Sequence, residues 1–517
     1  MPAQSPLCRP CAAFRLGLRP IAAAVLALSA PFVSAQEGGA RALSLVPSLT
    51  VTESITDNLR LAAAGKSAEA ITQLTAALRL SSRSGRVQGN LDYALNGYVY
   101  AKDTSASSAQ HSLSGNVRID VVENWLSVTS NAQIGQQTVS AFGTQSSNAG
   151  LAGGNTTEVR SWQISPVVHG RLSPTIDYQA SATYGIVRTG AAASLGSVDT
   201  ISAAASVNSD KSEALGWTAS LSHRQSDYAA SASTELDTAQ AALNYRPMHD
   251  VLLTASVGRE RTNYSTAVKS STSTWGVSAS WIPSTRTKLS ANYDHRFFGT
   301  GYRLVAEHRF PLSSLRIVSS QDISDASTQP GRSGALGSAY DYFFGQLAAA
   351  EPDPAKRDLM VQDILQKNGF SPGAAVAPGF LASGATVQRR TEVSYILQSL
   401  RSTLAFNAAL SRSSRDGLLA GGIDDLLASN VIHQRIFGLN FGHRLTPTTG
   451  ISLDLSRQST LGATAAQSTT LRTLRLGLTT SLGPRMNASL TARHVVFDSS
   501  VQPYTENALI AAFGIRF

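Results

Sequence analysis

Tyr504-Thr505-Glu506-Asn507-Ala508-Leu509-Ile510-Ala511-Ala512-Phe513-Gly514-Ile515-Arg516-Phe517 stands at the end of the sequence, and its reading decides the fold. Counted in steps of two from the last residue, Phe517, Ile515, Phe513, Ala511 and Leu509 fall on one face of an extended strand, with Arg516, Gly514 and Ala512 on the other. The first face suits lipid and the second a watery interior. One such strand is weak evidence, because soluble antiparallel sheets alternate too. The reading gains force only if the rest of the chain repeats it.

It does. Leu91, Tyr93 and Leu95 alternate with Asp92 and Asn96, and Leu113, Val117, Ile119 and Val121 with Asn116, Arg118 and Asp120. Trp217, Ala219 and Leu221 alternate with Thr218, Ser220 and Ser222, and Leu474, Leu476 and Leu478 with Arg475, Gly477 and Thr479. About 22 such segments can be counted, each roughly ten residues long, as a transmembrane barrel requires. Short turns are expected at Ser84-Gly85, Glu123-Asn124, Ser173-Pro174, Pro247-Met248, Pro283-Ser284, Pro311-Leu312, Pro447-Thr448 and Gly483-Pro484. Longer polar stretches, including 140–157, 190–196, 413–430 and 460–467, fall between them. Alternation of short and long connections is the pattern of a barrel whose two ends face different compartments. Trp125, Trp162, Tyr245, Trp281, Phe310 and Phe441 sit near expected strand ends, where interfacial aromatic girdles lie.

The other end of the sequence bears on compartment. Arg9, Arg15 and Arg19 precede an apolar run over 21–28, and Val33-Ser34-Ala35 supplies small residues before Gln36, the pattern of a secretory signal peptide over 1–35. Cys8 and Cys11 both lie inside it, so no disulfide or thiolate site is expected in the exported chain. The sequence carries 43 Lys+Arg against 34 Asp+Glu, and the three leader arginines leave 40 against 34, too mild an excess for a nucleic-acid partner. No apolar run is long enough for a membrane helix. The closing strand with its aromatic last residue resembles the terminal strand of bacterial outer-membrane barrels, which implies Phe517 as the assembly signal and the barrel-assembly machinery and outer-membrane lipid as partners. The expected fold is all-β: a transmembrane antiparallel barrel over 36–517, of even strand number, in the cell outer membrane. A soluble sandwich or solenoid would account for neither the leader with Phe517 nor the loop lengths.

One connection breaks the rhythm. Over 321–383 strand patterning stops, and a connection of that length is usually functional or disordered. Asp353 as N-cap, Pro354 at the first helical position, Leu359, Met360, Val361, Ile364 and Leu365 at helical spacing and Gly369 as terminator predict a helix over 354–368. The long insert is therefore expected to be extracellular and partly helical, folding back over or into the lumen to bury its apolar stripe, or else packing on itself.

Three stretches carry a family resemblance. Val46-Pro47-Ser48-Leu49-Thr50-Val51-Thr52-Glu53-Ser54-Ile55-Thr56-Asp57-Asn58-Leu59 resembles the opening strand of the outer-membrane β-barrel proteins associated with the PEP-CTERM/exosortase system. Tyr340-Asp341-Tyr342, Asp353-Pro354-Ala355-Lys356-Arg357-Asp358-Leu359 and Gln366-Lys367-Asn368-Gly369 are similar to that family's mid-chain helical segment, and Val387-Gln388-Arg389-Arg390-Thr391-Glu392-Val393 to the strand with which its barrel resumes. The resemblance implies a Gram-negative cell making exopolysaccharide, with this protein a companion of the export proteins rather than their cargo.

Chemistry is sparse. The nine histidines are scattered without ligand spacing, and no nucleophile elbow or phosphate-binding glycine loop is present. Asp294-His295, the nearest to a catalytic pair, would point to opposite faces of a strand. Asp424-Asp425 could hold a divalent ion, a solvated acidic loop being the plainer reading. No cofactor and no enzyme activity are expected. By the alternation, Arg118, Arg224, Lys288, Arg296, Arg303, Arg309, Arg390 and Arg475 line the lumen, with Asp92, Asp120, Asp294, Glu307, Glu392 and Asp454, since on the lipid face each would cost up to a few kcal/mol near the midplane. These charges are either a paired filling that supports the wall or a hydrated path of slight positive excess. The expected function is a non-enzymatic channel or export partner in exopolysaccharide production. A structural or assembly protein of the envelope is the alternative, and a membrane-embedded hydrolase a third.

Overall fold

The computed structural model describes residues 43–517, apart from 105–106, 149, 152–153, 191–196, 210–213, 230, 416–417, 419–423 and all of 325–379 but Phe344, Arg357 and Val361. The expected leader lies outside the described residues. The strands are β1 (Leu43–Thr56), β2 (Glu69–Arg83), β3 (Val87–Tyr100), β4 (Ser108–Val122), β5 (Leu126–Thr138), β6 (Thr156–Ser173), β7 (Ile176–Thr189), β8 (Val198–Ser209), β9 (Leu215–Tyr228), β10 (Thr234–Met248) and β11 (Val251–Thr262). They continue as β12 (Ser270–Ser284), β13 (Thr287–Arg296), β14 (Gly299–Arg309), β15 (Ser313–Ser324), β16 (Thr386–Gln398), β17 (Ser402–Ser414), β18 (Val431–Arg444), β19 (Thr449–Leu461), β20 (Ser468–Gly483), β21 (Met486–Ser499) and β22 (Tyr504–Arg516). Each pairs antiparallel with the next, and β22 returns to β1, so one 22-stranded sheet closes on itself.

The seam is made by the stretch that opened the reading. Val51 lies opposite Phe513 and Ile55 opposite Leu509, and the Phe517 amide donates to the Pro47 carbonyl at 3.0 Å. Register then carries the two faces around the ring: Val51 meets Leu74, Leu78 meets Tyr93, Trp217 meets Leu243, and Leu455 meets Leu474. This apolar face is open, with Leu221 63% and Val257 65% exposed. A water-soluble sandwich would bury it; a continuous belt of this kind needs lipid. No helix among the described residues is long and apolar enough to cross a membrane, so the strands do the crossing.

One end of the barrel carries short turns and the other, the outer end, the long connections, as expected. Two short connections, 210–214 and 399–401, have no counterpart in the sequence reading. Pro247 and Pro283 do not make the turns assigned to them; they lie in β10 and β12, beside register breaks at Tyr245/Met248 and Trp281/Ser284, with the chain reversing at 249–250 and 285–286. A bulge tolerates a residue that cannot donate to the ladder. At the outer end, β13 and β14 are joined by Phe297 and Phe298 alone, an exception to the loop-length rule. The insert starts after Ser324, since β15 runs further than expected. Of the helix expected over 354–368, Arg357 and Val361 are described, both with helical backbone and Val361 fully buried; the remainder lies outside the described residues.

Candidate functional site

All fourteen lumen charges read from the sequence fall at inward register positions. Arg118 bonds Asp120 at 3.1 Å, and Asp92 meets Arg79 of β2 at 3.5 Å. Arg296 bridges Glu260 at 2.7 Å and Asp322 at 3.0 Å, while Glu307 takes Arg316 at 3.0 Å. Arg390 pairs with Glu392, Asn292 donates to Asp294, and Asp454 stands opposite Arg475. His295 stacks on Trp275 on the outer face, so Asp294 and His295 point apart. Arg224, Lys288, Arg303 and Arg309 make no ion pair among the described residues, although Lys288 lies opposite Glu307. The lumen is therefore mostly paired, with a residual basic track on β13 and β14. Alternation alone could also have located Arg79, Glu260, Arg316, Asp322, Arg493 and Glu506, which the sequence reading missed.

Among the described residues the most deeply buried ion pair is Arg493–Glu506, with side chains 2% and 0% exposed. Arg493 donates through Nε to Oε2 at 3.1 Å and through Nη2 to Oε1 at 2.7 Å, and Thr56 of β1 donates to Oε1 at 2.8 Å. Glu506 thus joins β21, β22 and β1 across the seam. Just outside it, the Asn507 backbone and side-chain amides donate to Asp57, each at 2.8 Å. Burial alone would push the Asp57 carboxyl up, but these bonds, with Lys66 at 3.6 Å, hold it below its ordinary value.

At the outer end, connections fold inward rather than away. In 57–68, the Asn58 side chain donates to the Ala62 carbonyl at 2.8 Å and accepts from its amide at 2.9 Å. That brace holds Leu61 at φ 53°, a left-handed conformation that a non-glycine residue adopts only under such support. Leu59 and Leu61 are buried with Ile71, Tyr98, Tyr100, Leu151, Val495, Phe497 and Tyr504. The connection 139–155 crosses the mouth: Tyr100 donates to the Gly150 carbonyl at 2.6 Å, Tyr504 to that of Gln145 at 2.5 Å, and Arg475 to that of Ser147 at 3.1 Å. Phe380, just after the undescribed part of the insert, is fully buried with Ala141, Leu426 and Ile432, and Leu381 packs on Val159, Val187, Val198 and Tyr228.

Two adjacent carboxylates tie these pieces together. Asp424 caps the short helix α1 (Asp425–Ala428), accepting from the Leu426 and Leu427 amides. It also takes the Arg415 guanidinium and, at 2.7 Å each, the Ser383 amide and hydroxyl. Asp425 accepts from the Ser140 hydroxyl at 2.9 Å and the Ala141 amide at 2.5 Å. Burial pushes the Asp425 carboxyl up, the Ala141 and Ser140 bonds act against this, and the neighbouring Asp424 charge adds to it. Both expectations for this acidic pair need correcting: it is neither a solvated loop nor an ion site, because protein donors already occupy its oxygens. Among the described residues no group of three or more His, Cys, Asp and Glu could hold a metal ion.

No family model matches the sequence, and no curated protein does. Among solved structures the chain is similar to the siderophore receptor PirA from Pseudomonas aeruginosa, at 11% identity and TM-score 0.45, over 93% of this chain and 81% of that one. It is also similar to the FrpB iron transporter (F5-1 variant) from Neisseria meningitidis, at 10% identity and TM-score 0.47, over 91% and 82%. A third is the ferric-catecholate import receptor Fiu from K12 E. coli, at 8% identity and TM-score 0.48, over 91% and 81%. Similarity at this level does not extend to what those proteins bind. The closed antiparallel barrel with its apolar outer belt is that of an outer-membrane protein.

Proposed function

We propose that the protein is a non-enzymatic outer-membrane conduit, shut at its outer mouth by inward-folded connections, which passes anionic or hydroxyl-rich chains when that closure is released. The observation that carries this reading is the pairing of two features. A ring of 22 strands is wide enough to enclose a lumen, and among the described residues the inward cations without an ion pair, Arg224, Lys288, Arg303 and Arg309, outnumber the inward carboxylates without one, Asp294 and Asp454. Over that lumen, the pieces 139–155, 380–385 and 415–430 are tied through Asp424 and Asp425. Confined cations in a low-dielectric wall favour anions. Exopolysaccharide is the cargo that the resemblance to the PEP-CTERM/exosortase-associated barrels implies, with its export proteins as partners.

Reversal potentials across planar bilayers under a salt gradient test the path. In a barrel opened at Asp424, anion preference is expected, falling several-fold when Lys288, Arg303 and Arg309 are changed together to Gln. Cation preference in the opened parent would contradict the reading.

A further inference from the structure

The lipid-facing side of β16–β20 carries a cluster of cations that the proposed conduit does not use. Arg389, Arg412, Arg435, Arg457 and Arg472 occupy successive strands near the outer end, and all are exposed. Register puts them on the outer face: Arg435 lies opposite Leu410, and Arg457 opposite Phe437, both of which point to lipid. Arg389 and Arg412 are direct cross-strand partners, and so are Arg457 and Arg472, with His433 opposite Arg412. Like charges placed opposite one another in a ladder repel. Asp498 lies 3.2 Å from Arg472, and among the described residues Arg435 and Arg457 have no carboxylate partner.

Directly below the cluster the same face is free of charge. Leu410, Ala408, Phe406 and Leu404 run down β17, Phe437, Leu439 and Phe441 down β18, Leu455 and Leu453 down β19, and Leu474, Leu476 and Leu478 down β20. Arginine is costly at the midplane of the hydrocarbon and nearly free at its edge, so the cluster marks the headgroup level of the outer leaflet. The five strands span about 19 Å laterally at about 4.8 Å per step, too wide for one anionic group to serve every guanidinium. Guanidinium forks match phosphate oxygens in pairs.

The geometry points to a bound lipid: this face holds an outer-leaflet lipid with several acyl chains and more than one phosphate, its phosphates on Arg412, Arg435 and Arg457 and its acyl chains along the leucine and phenylalanine columns beneath. Acidic protein surfaces and a second copy of the chain are the competing occupants; they would use the arginines without needing the apolar columns.

The full exported chain, reconstituted in phosphatidylcholine vesicles doped with diphosphorylated lipid A or, separately, with phosphatidylglycerol, is extracted in mild detergent, and retained lipid is read by native mass spectrometry. The parent is expected to keep lipid A at least tenfold more often than phosphatidylglycerol. R412Q/R435Q/R457Q should lose that retention, and R412K/R435K/R457K should keep a reduced part of it, since charge survives and the fork does not. R171Q/R286Q, at the opposite end of the barrel, should match the parent. Equal retention by the glutamine variant, equal retention of the two lipids, or a parent that keeps neither would overturn the assignment; a mass doubled without lipid would assign the face to a second copy instead. Unchanged heat-dependent gel mobility identifies variants that have folded.

Discussion

Replacing Asp424 and Asp425 together by alanine is expected to convert a poorly conducting barrel into an open one. Asp424 and Arg415 are 2% and 8% exposed at their side chains, so removing the carboxylate strands a buried guanidinium and frees both the Ser383 contacts and the α1 cap. Breaking one side of a buried pair costs about 3–5 kcal/mol. A change of that size shifts a closed-to-open ratio by roughly 10² to several times 10³. Losing Asp425 also frees Ser140 and Ala141, so 139–155 and 415–430 part company. Single-channel recording should show at least a tenfold rise in open probability, and unchanged conductance would mean that these connections do not obstruct the path.

The same closure should respond to pH through Asp425. Its carboxyl is raised in the closed arrangement, mainly by burial, and would return to its ordinary value once solvated. The closed state therefore binds the proton more tightly. The contribution of Asp425 to closure is complete below the ordinary carboxylate range and is lost as pH rises through the raised value. Conductance of the parent should accordingly increase with pH across that window, and D425N should flatten the response.

The second large effect is expected at Glu506. In E506A, Arg493 would be left charged and buried, and Thr56 would lose its acceptor across the seam. About 3–5 kcal/mol of stability should disappear. Urea titration in detergent, followed by tryptophan fluorescence and heat-dependent gel mobility, would show this as an earlier midpoint with an unchanged slope. R493L/E506L should recover most of the loss, because apolar replacement removes the stranded charge along with the pair. An E506A midpoint equal to that of the parent would remove the pair from the account of the seam.

What the sequence discloses here follows period and parity. A strand's side chains repeat every two residues, so Leu474, Leu476 and Leu478 declare the lipid face, and Arg475 is thereby placed inside without any coordinates. The same parity assigns Glu506 inward from Leu509 alone. Turn chemistry is less explicit: 399–401 is Ser-Leu-Arg and signals nothing, and Pro247 marks a bulge near a turn rather than the turn itself. The mouth is hidden for a different reason. Ser140 meets Asp425 and Gln145 meets Tyr504 across separations of 285 and 359 residues, and irregular connections have no period to register such contacts. Asp424-Asp425 therefore reads as a solvated pair in sequence and becomes a knot of hydrogen bonds in the fold.

All of these expectations presuppose strands that present one side to hydrocarbon and the other to water. Single cysteines at Val277, Ser278, Ala279 and Ser280 of β12, in protein reconstituted into liposomes, test that most directly with a membrane-impermeant maleimide. Reaction at positions 278 and 280 with protection at 277 and 279 is the predicted result; uniform labelling, or labelling that follows depth instead of parity, would contradict it.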